Sequence, residues 1–234
     1  MSTQRGKRRL GQARHPFGTG WGGKRRGAGR KGAGTGGRRN GVAHVARPVH
    51  KARFPVHVTV RLRGGLPSMR SQSLCDGAVA QIKTARERFF RILHFSVQAN
   101  HIHLLVEAGD ERLLGRGMKG LGVRLARRVN SLLSAKGQVI GERYHARALA
   151  TPREVRNALV YVLSNRKKHG GSATSMLDRC ASGQYFDGWR DNSGVPVARA
   201  SPDEWPVAAG KTWLVTRGWK RLGLLHLDER PRQA

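Results

Sequence analysis

The stretch ANHIHLLVEA, residues 99–108, places His101 and His103 two apart within an apolar run. In a β-strand, residues i and i+2 stand on the same face. Two imidazoles would then sit side by side, with Ile102, Leu104 and Val106 pointing the other way. Neutral imidazole is a common transition-metal ligand, and two on one strand face make half a site. Many such pairs are simply half-buried polar residues, so a second signal is needed. It comes from YVLSN, where Tyr161 and Asn165 are four apart and share a helical face. A phenol, with an ordinary pKa near ~10, is a poor nucleophile in water. It attacks phosphorus when its oxygen is positioned and the phosphate is polarised by a cation. An amide oxygen suits a hard divalent ion as a third ligand.

The chain around these residues is strongly basic. Its 234 residues carry 45 Lys and Arg against 14 acids, a formal net charge of +31. No ordinary solvated surface needs that excess, and a polyanion partner explains it most simply. Nucleic acid is the commonest polyanion. An anionic membrane is the rival, but the sequence has no apolar run long enough to span a bilayer and no signal-peptide pattern. Cys75 and Cys180 lie far apart and form no metal motif. They fit a reducing cytoplasm and decide nothing more. The expected location is the cytoplasm, in association with the nucleoid.

Residues 1–50 are a separate regime, rich in Gly, Arg and Lys, with no hydrophobic period. Such a segment cannot bury enough apolar surface to offset its chain entropy, and is expected to be a disordered basic arm. The first acidic residue of the chain is Asp76. RRGAGRK loosely resembles an AT-hook but lacks the proline-flanked core. General nucleic-acid affinity is the plainer reading of the arm.

Seven elements must position the candidate residues. FPVHVTVRL (54–62) alternates with β-branched residues and predicts a strand. Residues 77–93 carry Val79, Ile82, Phe89, Phe90 and Leu93 at helical spacing and predict an amphipathic helix. Residues 94–99 and 101–108 predict two strands joined by a tight turn at Asn100. Residues 111–135 predict a helix whose glycines at 115, 117, 120 and 122 weaken its first half. Its second half carries Arg124, Arg127 and Arg128, a basic face suited to a phosphate backbone. Residues 142–150 predict a strand. Residues 151–170 predict a helix capped by Thr151, with Pro152 first, Glu154 completing a capping box and Gly170 ending it. The first six elements give an α+β fold, a ferredoxin-like βαββαβ core with an antiparallel sheet. The tyrosine-bearing helix is an additional, C-terminal element. In that topology the first and last strands are neighbours, and two helices cover one sheet face. The other face is left for a ligand or the added helix. Residues 171–234 read as a loop-rich extension, in which Trp213 and Trp219 either stack on bases or close a small apolar patch.

NHIHLLVEA resembles the HUH motif of single-tyrosine transposases, two histidines around a hydrophobic residue. LVYVLSNRKKHG resembles the tyrosine helix of the REP-associated tyrosine transposases. That helix typically reads Tyr, three residues, Asn-Pro, three residues, Gly. The resemblance covers about residues 54–170, including the insertion-sequence-200-like core, with both motifs in the expected order. It implies that His101, His103 and Asn165 bind Mg²⁺ or Mn²⁺ and that Tyr161 is the nucleophile. It implies attack on single-stranded DNA that folds back as a hairpin, leaving a 5′-phosphotyrosine and a free 3′-hydroxyl. The arginines at 124, 127 and 128, with Lys167 and Lys168, would contact the DNA backbone. A monomer or a homodimer is implied. Arg166 stands where the family has proline, so the helix is expected to run on through Lys167 and Lys168.

Two other tyrosines compete. Tyr144 sits at a strand start beside His145 and reads as a packed sheet residue; Tyr185 lies in a loop without a ligand set. His57 reads as a solvated strand residue that could line a DNA face, and Glu107 and Asp110 as ordinary strand-end charges. The first alternative function is a non-catalytic DNA- or RNA-binding protein that keeps the fold, which the charge supports equally. A zinc hydrolase built on the His pair ranks last, because it has no evident carboxylate base and gives Tyr161 no role.

Overall fold

The computed structural model describes residues 49–85, 89–164, 177–190 and 204–229, all within one compact unit spanning 41–234. The basic arm, apart from residues 49 and 50, lies outside the described residues. The chain runs β1 (Val56–Arg61), α1 (Gln72–Lys83), β2 (Phe90–Val97), β3 (His101–Ala108), α2 (Glu111–Leu132), β4 (His145–Ala148) and α3 (Pro152–Leu163). The four strands form one antiparallel sheet in the order β2-β3-β1-β4. The first and last strands are therefore neighbours, as the element order predicts. Among the described residues no helix is long and apolar enough to cross a membrane.

Strand alternation divides the sheet into two faces. Val56, Val58 and Val60 of β1 and Ile102, Leu104 and Val106 of β3 point to one of them. There they meet Leu74, Ala78 and Ile82 of α1 and Leu114, Leu121 and Leu125 of α2. Each such side chain, fully buried, contributes about 1.5–3 kcal/mol. The opposite face buries Leu93 and Leu105 against Val155, Ala158 and Leu159 of α3. Phe186, Trp189, Leu214 and Trp219 from beyond residue 176 complete that second core. Both faces are covered, and the C-terminal segment is built into the fold. Its short turns are Ser182–Tyr185, Leu214–Gly218 and Trp219–Leu222.

The helix expected over 77–93 is displaced. Helix α1 begins at Gln72 and ends at Lys83, and Phe90–Leu93 belong to β2. The cause is a register shift between Ile92 and His94. Phe90 and Ile92 before it, and Phe95 and Val97 after it, all enter the first core. The extra residue switches the parity of the strand, so its apolar spacing loses the period of 2 and mimics a helix. One glycine of α2 is explained by the same strand. A Cβ on Gly117 would overlap the Phe90 ring. Gly117→Ala is expected to lower stability by about 1–3 kcal/mol through overpacking, despite the better helix propensity of alanine. Chemical denaturation of the two proteins measures this.

Strand β2 would be a bare sheet edge, but residues 177–182 cover it. Val97 N donates to Cys180 O at 2.7 Å, and Ser182 Oγ accepts from Phe95 N at 2.9 Å. Arg70 donates twice to the Asp178 carboxylate, at 2.9 and 2.8 Å. Cys75 and Cys180 are joined as a disulfide, with Cα atoms 6.0 Å apart. The reading of these cysteines as fitting a reducing compartment does not anticipate this pairing. The pairing spans 105 residues, so only the tertiary fold reveals it.

Glu107 is also more than a strand-end charge. It is 2% exposed and accepts from Arg91 Nη2 at 2.6 Å. It accepts again from the backbone N–H groups of Lys211 and Thr212, at 3.0 and 2.8 Å. One buried carboxylate thus ties β3, β2 and the start of the C-terminal turns together.

Candidate active site

His101 and His103 stand on the second face of the sheet, opposite Arg61 and Thr59 of β1. Their ring centroids are 4.6 Å apart and nearly perpendicular, at 81°. His103 is 4% exposed and His101 more open. Each ring is held through Nδ1. His101 Nδ1 donates to Asn100 Oδ1 at 2.7 Å, and His103 Nδ1 is bonded to Thr59 Oγ1 at 3.1 Å. A partner on Nδ1 fixes ring orientation and tautomer, so the lone pair of His101 resides on Nε2.

Helix α3 brings Tyr161 to this pair. Its start is fixed by the expected capping box: Thr151 Oγ1 accepts from Glu154 N at 3.2 Å, and the Glu154 carboxylate accepts from Thr151 N at 3.1 Å. Glu154 also pairs with Arg147 of β4 at 2.7 Å, which ties the helix start to the sheet edge. Near the middle of α3, Arg156 donates to Glu229 and to Gly223 O, locking the helix to the C-terminal segment. So held, α3 sets the Tyr161 ring 4.9 Å from that of His103, edge-on at 84°.

The expected residues do not all converge. His101, His103 and Tyr161 come together within one chain. Asn165, Lys167 and Lys168 lie outside the described residues, as does the expected helical run to Gly170. Arg124, Arg127 and Arg128 belong to α2, which packs on the other face of the sheet. They are not beside Tyr161. Tyr144 packs against the first core, as does Tyr185, whose ring lies 5.7 Å from that of Trp205. Trp219 is 1% exposed in the second core, whereas Trp213 is 47% exposed. The patch-closing reading therefore holds for Trp219.

His57 is half-buried beside the pair rather than solvated. Its ring lies 5.3 Å from His103 and 5.6 Å from Tyr161, so three rings form a nearly equilateral cluster. Alternation on β1 carried the signal. His57 and Thr59 share a face, and β1 is the neighbour of the strand with the His pair. Burial, and then the charges of His145 and Arg147, push the His57 imidazole down to about 4. Burial does the same to His94, which also reaches about 4 and whose Nδ1 meets Ser182 Oγ at 3.2 Å.

Both histidines are thus neutral when folded, whereas in the unfolded chain they titrate near the ordinary value of 6.5. Below that value the unfolded state binds more protons, so stability falls with acidification. Stability is expected to hold above pH 6.5 and to decline as pH drops toward 4, by on the order of a few kcal/mol per histidine. Unfolding curves across that range measure the decline. His94→Asn, which keeps a polar atom near Ser182 but does not titrate, is expected to flatten it.

The donor set fits a divalent ion in part. Two imidazoles with anchored Nδ1 atoms offer Nε2 as ligand atoms. Among the described residues no group of three or more His, Cys, Asp or Glu side chains could hold a metal. A cation here would complete its shell from an amide, water or phosphate oxygens, which suits Mn²⁺ or Mg²⁺. Glu107, the carboxylate on the same strand, is already committed to Arg91, Lys211 and Thr212. Among the described residues, Glu107 is therefore not placed to act as a base beside the His pair.

No family model matches the chain, and no curated protein does. A solved structure of a REP-associated tyrosine transposase bound to a REP hairpin is similar at 18% identity. The match covers 56% of this chain and 76% of that one, with a TM-score of 0.43, a distant likeness.

Proposed function

We propose that this chain is a metal-dependent endonuclease and strand transferase for single-stranded DNA, of the single-tyrosine HUH transposase type. The observation that carries the reading is the meeting of Tyr161 with the His pair, 4.9 Å from the His103 ring, on one face of the sheet. The strand order β2-β3-β1-β4, with antiparallel pairing throughout, supports the ferredoxin-like βαββαβ core that this reading requires. The net charge of +31 supports a nucleic-acid substrate.

The chemistry that Mg²⁺ or Mn²⁺ supplies, when bound by His101, His103 and Asn165, is polarisation of a non-bridging oxygen of the scissile phosphate. The protein does the rest. Asn100 and Thr59 hold the two imidazoles in register. The capped helix α3 presents the Tyr161 hydroxyl. Its oxygen attacks phosphorus and loses its proton as the phosphorus–O3′ bond breaks. The departing O3′ takes up a proton. The products are a 5′-phosphotyrosine and a free 3′-hydroxyl. The covalent link conserves the phosphodiester energy, so the reverse attack joins strands without ATP. On the other sheet face, Arg127 and Arg128 are exposed and available to backbone phosphates.

The test is incubation with labelled single-stranded hairpins from the flanks of the gene, with Mg²⁺ or Mn²⁺, followed by denaturing electrophoresis. A metal-dependent covalent protein–DNA band is expected. DNA or RNA binding without such a band, across several flanking sequences, would favour a non-catalytic binding protein.

A further inference from the structure

The polar side chains that β1 presents to the site face are His57, Thr59 and Arg61. Thr59 is bonded to His103, and Arg61 is paired with Glu142 at 3.5 Å. His57 differs. Its Nε2 is buried and has no hydrogen-bond partner among the described residues. A buried nitrogen left unsatisfied carries a desolvation cost that a valine in the same strand position would avoid. Such a group in a folded protein calls for a partner that arrives later or a functional reason. Packing does not supply the reason, because an apolar ring would pack equally well.

The surroundings say which partner. The His57 ring contacts the Tyr161 ring at 5.6 Å and the His103 ring at 5.3 Å. A phosphorus within attacking range of the Tyr161 hydroxyl lies within reach of the same rings. We infer that His57 Nε2 is kept for a hydrogen bond to a phosphate oxygen of the bound strand, a bond the site makes when the strand binds beside Tyr161. This rests on the reading of Tyr161 as nucleophile. It adds to that reading a donor on β1, placed to stabilise the charge that builds on the phosphate as the phenol attacks. No covalent step is added.

Two substitutions separate ring from nitrogen. His57→Phe keeps an aromatic ring but no nitrogen, and His57→Gln keeps a donor at similar reach. Adduct formation under single turnover at saturating DNA is expected to fall roughly 10- to 1000-fold in His57→Phe, the range for loss of one such donor. Glutamine is expected to restore at least part of it. Mn²⁺ affinity is expected to stay at the wild-type level in both, and DNA affinity to fall far less than the rate of adduct formation, because one hydrogen bond is small beside the Lys and Arg contacts. A second readout does not depend on cleavage: the ¹⁵N signal of His57 Nε2 in full-length Tyr161→Phe protein. It is expected to shift with an oligonucleotide bearing the target phosphate and not with the matching methylphosphonate.

Adduct formation at the wild-type rate in His57→Phe, with no shift of the His57 signal, would overturn the inference and leave the tyrosine reading standing. Absence of any adduct from wild type, with the shift present, would overturn the tyrosine reading and keep His57 as a phosphate contact. Absence of both would overturn both.

Discussion

Phenylalanine at position 161 is expected to abolish the covalent protein–DNA adduct while leaving DNA binding at its wild-type level. The substitution removes one oxygen and keeps the ring. The edge-on packing against His103 and His57, which depends on the ring, is therefore retained. On the proposed reading, binding rests mainly on Lys and Arg contacts to phosphate, which the substitution leaves untouched. Loss of a nucleophile from a covalent mechanism costs at least about 10³-fold in rate. Rates of adduct formation with Mn²⁺, and filter binding of the same oligonucleotide, check the two halves separately. An equal loss of binding would point to a folding defect, and unchanged adduct formation would remove Tyr161 from the chemistry.

Alanine at position 107 is expected to give the largest loss of stability. Glu107 is 2% exposed, and its partner Arg91 is mostly buried. Removing one member of a buried pair costs about 3–5 kcal/mol, because the buried charge that remains loses the carboxylate that offset its desolvation. The Lys211 and Thr212 N–H groups would lose their acceptor as well. A small domain has only about 5–15 kcal/mol in total, so a large share is at stake. The effect should reach the candidate site indirectly. Leu214 and Trp219, just beyond the released N–H groups, pack in the same core as Val155 and Leu159 of α3. Urea unfolding compares Glu107→Ala with wild type. Glu107→Gln keeps one acceptor oxygen and is expected to fall between them. A loss below about 1 kcal/mol, the scale of an exposed pair, would contradict the anchoring role.

The meeting of His101, His103 and Tyr161 is legible in the sequence because it rests on local pattern. His101 and His103 share a strand face by alternation, and in the fold Ile102, Leu104 and Val106 enter one core while Leu105 enters the other. Thr151, Pro152 and Glu154 form a local start signal, and α3 begins where they place it. The elements that were misread depend on long-range contacts. The shift between Ile92 and His94 disguises a strand as a helix, because its period is broken only in the context of β3. The segment beyond residue 176 has no strong periodicity. Its burial comes from single aromatic side chains, Phe186, Trp189 and Trp219, meeting a core supplied by α3 and the sheet. Cys75 finds Cys180 only once the β2 edge is covered. His57 was passed over because one histidine in a strand is unremarkable until its neighbours are known.

The central claim is that Tyr161 forms the bond to DNA. The most direct measurement is peptide mapping of the adduct made on single-stranded DNA with Mn²⁺, after protease and nuclease digestion. The expected result is a nucleotide 5′-phosphate on the peptide containing Tyr161. Attachment at Tyr144 or Tyr185, or an adduct formed equally well without a divalent cation, would contradict it.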